Sequence, residues 1–349
     1  MDPLASLLYE VRSNGALFSR NIVAPPWSVR FADGTPLTVV TMLRGAGWVV
    51  PGGDTAPVAL GPGDVAIVTG AEPFSVADDA GAEEPPLYVV HPDRCTAADG
   101  EDVSDDVILG PRTCGNRPDG ETVLLTGSYQ VGGRVSERLL SALPRVLVVR
   151  DDGKPGPILD LAAMEISRDA PGQQAVLDRL LDLLLLCTLR EWFARPEADP
   201  PGWYRALGDP VAGRALQLIH DRPARPWTVS ALAEETGVSR ATFARRFGEL
   251  VGRPPMAYLT DWRLALAADL LSRTEATVES IARQVGYQSA FGLSVAFKRV
   301  YGIRPSRHRE RKPDATAVDP DAGAASQHGR HDNENEREQR RRTAHAVPR

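Results

Sequence analysis

Arg240 and Arg245, five residues apart in VSRATFARRFGELVG, are the side chains whose type and spacing most plainly suit a chemical task. A guanidinium is a planar fork of donors that matches the O6 and N7 edge of guanine, and the small neighbours Ala241 and Ala244 would let a helix bring that fork close. Such a task needs a helix held firmly from behind. Ser239 stands before the run as an N-cap, Thr242 lies in its first turn, and Gly237 suits the left-handed backbone of a tight turn. Val238, Phe243 and Phe247 form an inward stripe, and Val229, Leu232 and Ala233 mark a preceding helix. The pattern reads as a helix-turn-helix presenting Ser239, Arg240, Ala241, Thr242, Ala244 and Arg245 to a major groove, although a helical hairpin packed only against protein would share its apolar spacing.

The pattern returns about 50 residues later in TVESIARQVGYQSAFGLSVAFKRVYGIRPSRHR. Ile281 and Ala282 stand where Leu232 and Ala233 stood, Gly286 for Gly237, Ser289 for Ser239, Leu293 for Phe243 and Phe297 for Phe247. The second outward set is Ser289, Ala290, Gly292, Ser294 and Val295, with Lys298, Arg299 and Arg307 as phosphate contacts. Val295 replaces the arginine at the position of Arg245; it cannot donate a hydrogen bond but can touch a thymine methyl. Between the units PPMAYLTDWRLALAADLLSR reads as one helix, with Tyr258, Leu259, Trp262, Leu266 and Leu270 at apolar positions. Its roughly 20 residues at about 1.5 Å rise reach roughly 30 Å, near the roughly 34 Å between successive major grooves on one face of the duplex. Double-stranded DNA is the expected partner.

Charge is distributed to match. The chain as a whole is formally -6, but residues 1–202 carry 16 basic against 29 acidic side chains, residues 203–312 carry 18 against 10, and the last 37 carry 6 against 7. A polyanion would be repelled by the front of the molecule and drawn to the back. The 349 residues exceed what one core usually organises, and 42% apolar with 25% charged residues marks a soluble globular chain. The opening MDPLASLLYEVRSNG lacks the pattern of a secretory signal, and no stretch of about 18 uncharged apolar residues occurs. A cytoplasmic protein is expected.

The front half reads as an antiparallel barrel or sandwich over residues 27–150, with apolar runs at 37–40, 48–50, 64–68, 87–90 and 122–125 separated by Gly and Pro. A helix follows over Gln173 to Phe193, apolar all round between Leu183 and Leu189, so it must be covered on more than one side, either by its own domain or by a second copy. Dimer contacts are assigned there to Leu180, Leu184, Leu185 and Cys187. Arg195 to Gly202 reads as a linker, and residues 313–349 as a disordered tail whose Arg340 to Arg342 run is a solvated stretch. The expected organisation is a front regulatory domain over 1–160, a helical dimerisation segment and linker over 161–202, the tandem units over 203–312, and the tail.

Competing chemistry finds thinner support. Cys95, Cys114 and Cys187 are odd in number and lack C-x-x-C spacing, which argues against a disulfide framework and a thiolate zinc site. Cys95 and Cys114, with Arg94 and Arg112 near in sequence, could act as an oxidant-sensing pair, ordinary packing being the plainer reading. His91 is the one histidine of the front half, and a metal site built from it and acidic groups such as Glu72 is weaker than a structural role. The carboxylate pairs Asp78-Asp79, Glu83-Glu84 and Asp105-Asp106 sit in loops where solvation is the normal fate, and Ser128 lies outside a nucleophile elbow. No nucleotide-binding glycine motif occurs. No cofactor, metal or catalytic residue is assigned.

Ala212 to Arg309 resembles the two-unit DNA-binding domain of AraC/XylS-type transcription regulators, in LAEETGVSRATFARRF, MAYLTDWRLALAADLL, IARQVGYQS and FKRVYGIRPSRHR. Residues 27–195 are similar to the cupin-like effector domain joined to it in one branch of that family, in LRGAGWVV, LGPGDVAIVTG, RTCGN, LLTGSYQV, LLSALP and LDRLLDLLLLCTLREWF. The resemblance implies an α+β multidomain regulator: a cupin-like β-barrel followed by helices, then an all-α tandem helix-turn-helix domain. It further implies a small-molecule effector, a homodimer and RNA polymerase as partners. A cupin-type enzyme fused to a DNA-binding domain and a ligand-independent architectural DNA binder are the alternatives.

Overall fold

LTVVTMLR and VAIVT are apolar at consecutive rather than alternate residues, which suits strands covered on both faces. In the computed structural model, which describes residues 3–4, 17–81, 85–129, 133–150, 156–168, 170–195 and 198–310, both become central strands. The front strands are β1 (Leu17–Val23), β2 (Ser28–Phe31), β3 (Leu37–Arg44), β4 (Gly47–Val50), β5 (Val58–Leu60), β6 (Val65–Thr69), β7 (Phe74–Ala77), β8 (Tyr88–Val90), β9 (Cys95–Thr96), β10 (Ile108–Gly110), β11 (Thr113–Gly115), β12 (Thr122–Tyr129) and β13 (Val146–Val149). One sheet runs β10-β11-β1-β12-β3-β6-β13 and the other β5-β4-β7-β2-β8-β9. They face each other as an unclosed, cupin-like barrel.

The sequence suggested antiparallel pairing throughout. Instead β1 pairs β11 and β2 pairs β8 in parallel, each pair joined by a long excursion rather than a hairpin, so no tight turn fixes the direction. Between the sheets lie Val29, Val40, Met42, Val76, Tyr88 and Leu124. The other face of the seven-stranded sheet presents Leu37, Val39, Ile67, Leu125 and Tyr129 to the helices. Those helices are α1 (Ser104–Val107), α2 (Arg134–Leu140), α3 (Pro157–Ile166) and α4 (Gln173–Ala194), of which α3 and α4 cover the sheet through Leu159, Leu177, Leu181 and Leu189. The Tyr129 hydroxyl donates to the Leu181 carbonyl at 2.6 Å, fixing α4 to the sheet.

Leu184 and Leu185 are buried within the chain's own core, which corrects their assignment as dimer contacts: the sheet already covers them. Leu180 is half-buried and Cys187 exposed; Val176 and Leu183 are exposed as well. Residues 176, 180, 183 and 187 follow an i, i+4, i+7, i+11 spacing, so the uncovered apolar stripe of α4 lies one step round from where the sequence placed it.

The back half consists of α5 (Gly202–Arg205), α6 (Ala212–Asp221), α7 (Val229–Glu235), α8 (Arg240–Val251), α9 (Pro255–Arg273), α10 (Val278–Gln284), α11 (Ala290–Tyr301) and α12 (Pro305–Glu310). The core on the helical side of the sheet continues into it without a break, through Ala212, Leu216, Leu232, Phe243, Phe247, Tyr258 and Trp262. At the seam the Phe193 ring lies 4.5 Å from Tyr204 and 6.5 Å edge-on from Trp203. Arg195, at the start of the expected linker, donates to the Val148 carbonyl at 3.2 Å and so ties that end of the segment to the sheet. A separate core holds Leu264, Ala268, Leu271, Ile281, Leu293 and Phe297. Leu266 and Leu270 are half-buried, because α9 is gripped from two sides and Leu264, Ala265, Ala267, Ala268 and Leu271 fill its centre. Glu83-Glu84, the tail after 312 and the Arg340 to Arg342 run lie outside the described residues.

Candidate nucleic-acid interface

Each helix-turn-helix is built from local chemistry that repeats. In the first unit Thr228 caps α7 by accepting from the Ala231 amide at 3.0 Å, and Ser239 caps α8 by accepting from Thr242 at 3.2 Å. In the second unit Thr277 accepts from Ser280 and Ser289 from Gly292, both at 3.2 Å. Gly252 and Gly302 end α8 and α11 in left-handed conformations, their amides donating to the carbonyls of Gly248 and Lys298. The first helices have 7 residues and the second 12 in both units. Gly286, at φ +89, turns where a Cβ would meet the Ala224 backbone at 2.8 Å, so only glycine lets the second unit seat against the loop before α7. Arg263 of α9 ties that loop down, donating to the carbonyls of Pro223 and Arg225 at 2.7 Å each.

The structure places none of the proposed DNA contacts in the core. Ser239, Arg240, Ala241 and Arg245 are exposed, with Thr242 and Ala244 half-buried beside them. Arg245 pairs with Glu249 at 3.0 Å on the open surface, a contact weak enough for a stronger acceptor to displace. The neighbouring Arg246 instead grips Asp209 at 2.6 Å and belongs to the scaffold. In the second unit Ser289, Val295, Lys298, Arg299 and Arg307 are exposed, and Ala290, Gly292 and Ser294 half-buried. Sequence reasoning passed over Phe291, which is 78% exposed. Its signal was available: it stands two residues after the Ser289 cap, where Ala241 follows Ser239.

A third feature joins the interface to the front domain. Asp269 on α9 caps α2, accepting from the amides of Arg134 at 2.6 Å and Val135 at 3.2 Å. Gly133 precedes that helix at φ +100, and a Cβ there would meet the Asp269 carboxylate at 2.6 Å. Burial pushes the Asp269 carboxyl up to about 6, outweighing the two amide bonds. From the same face of α2, Arg134 lies 5.3 Å over Tyr301 and Arg138 lies 5.5 Å over Tyr258, so α2 touches both the joining helix α9 and the second unit. No helix among the described residues is long and apolar enough to cross a membrane.

Comparison with known proteins decides what this arrangement is. Residues 2–194 match a family model described as cupin, and residues 232–311 match one described as a helix-turn-helix domain. An AraC-like transcription regulator of Streptomyces lividans is 32% identical over 314 residues, covering 89% of this chain and 98% of its own. The chain belongs to the AraC-like transcription regulators. A counterpart from Streptomyces antibioticus aligns at 32% identity over 89% of this chain and 99% of its own. The solved DNA-binding domain of AdpA, in complex with a target DNA, is 30% identical over 31% of this chain and 99% of its own, with a TM-score of 0.29. The AraC-like protein is thus a DNA-binding transcription regulator with a cupin-like front domain.

The groups that suggested other chemistry take structural positions in this regulator. His91 hydrogen-bonds Thr96 at 3.1 Å across the β8–β9 turn, and among the described residues no group of three or more His, Cys, Asp or Glu side chains is placed to hold a metal ion. Asp78 accepts from the Trp27 amide, Asp79 from the Gly81 amide, and Asp105 and Asp106 are exposed on α1. Ser128 donates to Asp33 at 2.8 Å from within β12. Cys95 and Cys114 do come together: a hydrogen bond from Cys114 holds the Cys95 thiol below its ordinary value, while that bond and burial push Cys114 well up. Cys187 stays apart and exposed.

Proposed function

We propose that this regulator is sequence-specific and that its front domain sets the relation between its two reading heads. The observation that supports control from the front is the Asp269 cap, which fastens the helix joining the heads to α2 of the regulatory domain. A small-molecule effector would act by binding the capped and released arrangements unequally, since a ligand with equal affinity for both shifts nothing. Phosphate contacts from Lys298, Arg299 and Arg307 supply affinity, and Arg240 and Arg245 discriminate bases. The boundaries assigned above, residues 1–160, 161–202 and 203–312, describe this division of labour, with no catalytic step in the cupin-like domain.

The reading includes a homodimer in the cytoplasm, joined through the stripe of Val176, Leu180, Leu183 and Cys187, with RNA polymerase as the downstream partner. Leu183→Glu should yield monomers in sedimentation, and a folded variant that stays dimeric removes α4 from the interface. Selection of sites from random duplex by the full chain tests the main claim. A motif in two parts about one helical turn apart is expected; a pool without enrichment marks an architectural binder instead. Asp269→Ala should then alter the affinity of the full chain for the selected site, and unchanged affinity refutes control through the cap.

A further inference from the structure

Among the described residues from 198 onward, the large apolar side chains left exposed are Phe291, Val295 and Val300, and all three lie on α11. Phe291 is 78% and Val295 55% exposed, and at i and i+4 they are neighbours on one helix face. That face is the one turned away from Leu293 and Phe297, which are fully buried in the core of the second unit. On α8 the matching positions are Ala241 and Arg245, a small residue and a hydrogen-bond donor. The two recognition helices, identical in length and capping, therefore offer opposite chemistry at the same two places.

We propose that Phe291 and Val295 form a thymine-reading site, in which the second unit recognises the C5-methyl groups of one or two thymines in the major groove. The inference rests on the DNA-binding reading above and adds base preference to it. In the major groove thymine carries the one methyl that a helix face can reach, and apolar contact is how it is distinguished from cytosine. The surroundings select DNA over a protein surface. Lys298 and Arg299 extend from the same helix and Arg307 follows it, while α11 itself has no acidic residue. An apolar pair rimmed by cations fits a methyl flanked by phosphates, and it repeats the placement from which Arg245 would reach guanine.

The test uses the full chain and its selected site, with each thymine replaced in turn by deoxyuridine, which keeps every hydrogen bond and removes only the methyl. One or two replacements in the half bound by the second unit should weaken binding about fourfold each, the value of roughly 0.8 kcal/mol for one buried carbon. Phe291→Ala and Val295→Ala should weaken the thymine site and abolish the difference between thymine and deoxyuridine, and Phe291→Leu should restore part of it. Lys298→Ala should weaken both duplexes equally. Both side chains are exposed, so the variants leave the core intact. If sequence preference persists but no deoxyuridine replacement matters, the pair faces protein and the inference fails while the DNA reading stands. If the chain shows no sequence preference at all, the reading beneath it fails as well.

Discussion

The two helix-turn-helix units share helix lengths, caps and left-handed C-terminal glycines, yet they are held in the molecule differently. The first has no core of its own: Phe243 and Phe247 belong to a continuous cluster that reaches the cupin-like sheet through Phe193. The second packs Leu293 and Phe297 into a separate core and meets the front domain through polar and cation-ring contacts, the Asp269 cap and Arg134 over Tyr301. Apolar continuity fixes a position, whereas a cap and a few charged contacts can be exchanged. The contrast assigns the fixed role to the first unit and the adjustable role to the second.

The largest expected effect tests that contrast in the cores. Truncating a buried phenylalanine costs roughly 3–5 kcal/mol. Phe247→Ala should therefore lower the melting of the front domain together with that of the first unit. Phe297→Ala should leave the front domain's hydrogen-exchange protection unchanged and expose only α10 to α12. Equal loss of protection in both variants would show that the two cores unfold as one.

Next in size is base reading. Arg245→Ala should relax preference at one operator position by about 1–3 kcal/mol. Lys298→Ala should weaken all sequences alike and reduce the salt slope by about one. A motif that survives Arg245→Ala unchanged would move guanine reading off α8.

The cap comes third. Losing a side-chain cap costs typically about 1 kcal/mol, so Asp269→Ala should raise amide exchange at Arg134 and Val135. The cap also responds to pH. The carboxyl stands at about 6 when docked, chiefly through burial, against an ordinary value near 3.9 when free. The docked form thus holds a proton that the free form has lost between about pH 4 and 6, which favours docking as pH falls through 6 and withdraws that support as pH rises past it. Arg134 and Glu137 face the same carboxyl with opposite effects. Protection of α2 should be greater at pH 5.5 than at 7.5 in the native chain and flat in Asp269→Asn. A native chain with flat protection would remove the cap as a pH-sensitive contact.

The smallest effect concerns Glu249. Replacing it with Gln releases Arg245 from an exposed i, i+4 pair worth about 0.3–0.5 kcal/mol. Binding to the selected site should tighten by no more than about twofold. A loss of affinity would mean that Glu249 itself touches DNA.

What the sequence disclosed follows from how local each signal is. Ser239, Gly237 and Ser289 act within four residues of themselves, and both units were readable from such signals. β3 and β6 were readable because burial on both faces leaves consecutive apolar residues. The short strand β11 was not, since its parallel pairing with β1, Asn21 beside Cys114, is a long-range outcome that neither segment encodes alone. Leu184 and Leu185 looked like dimer contacts because a wholly apolar turn does not say which side meets the sheet. Phe291 was passed over although its place, two residues after the Ser289 cap, matches that of the outward Ala241. The Asp269 cap spans 135 residues and had no sequence signature.

The aromatic seam at Phe193, Trp203 and Tyr204 also bears on the order in which the protein is made. Synthesis delivers the cupin-like sheet and α4 first, and domains fold as units in that order. Phe193 then waits at the end of α4 as a half-built surface until the ribosome supplies Trp203 and Tyr204, and the first reading head closes onto it. The second head, with its core drawn entirely from Leu264 onward, can form last and by itself. A nascent chain interrupted after α9 would already carry a complete first helix-turn-helix unit fused to its cupin-like domain.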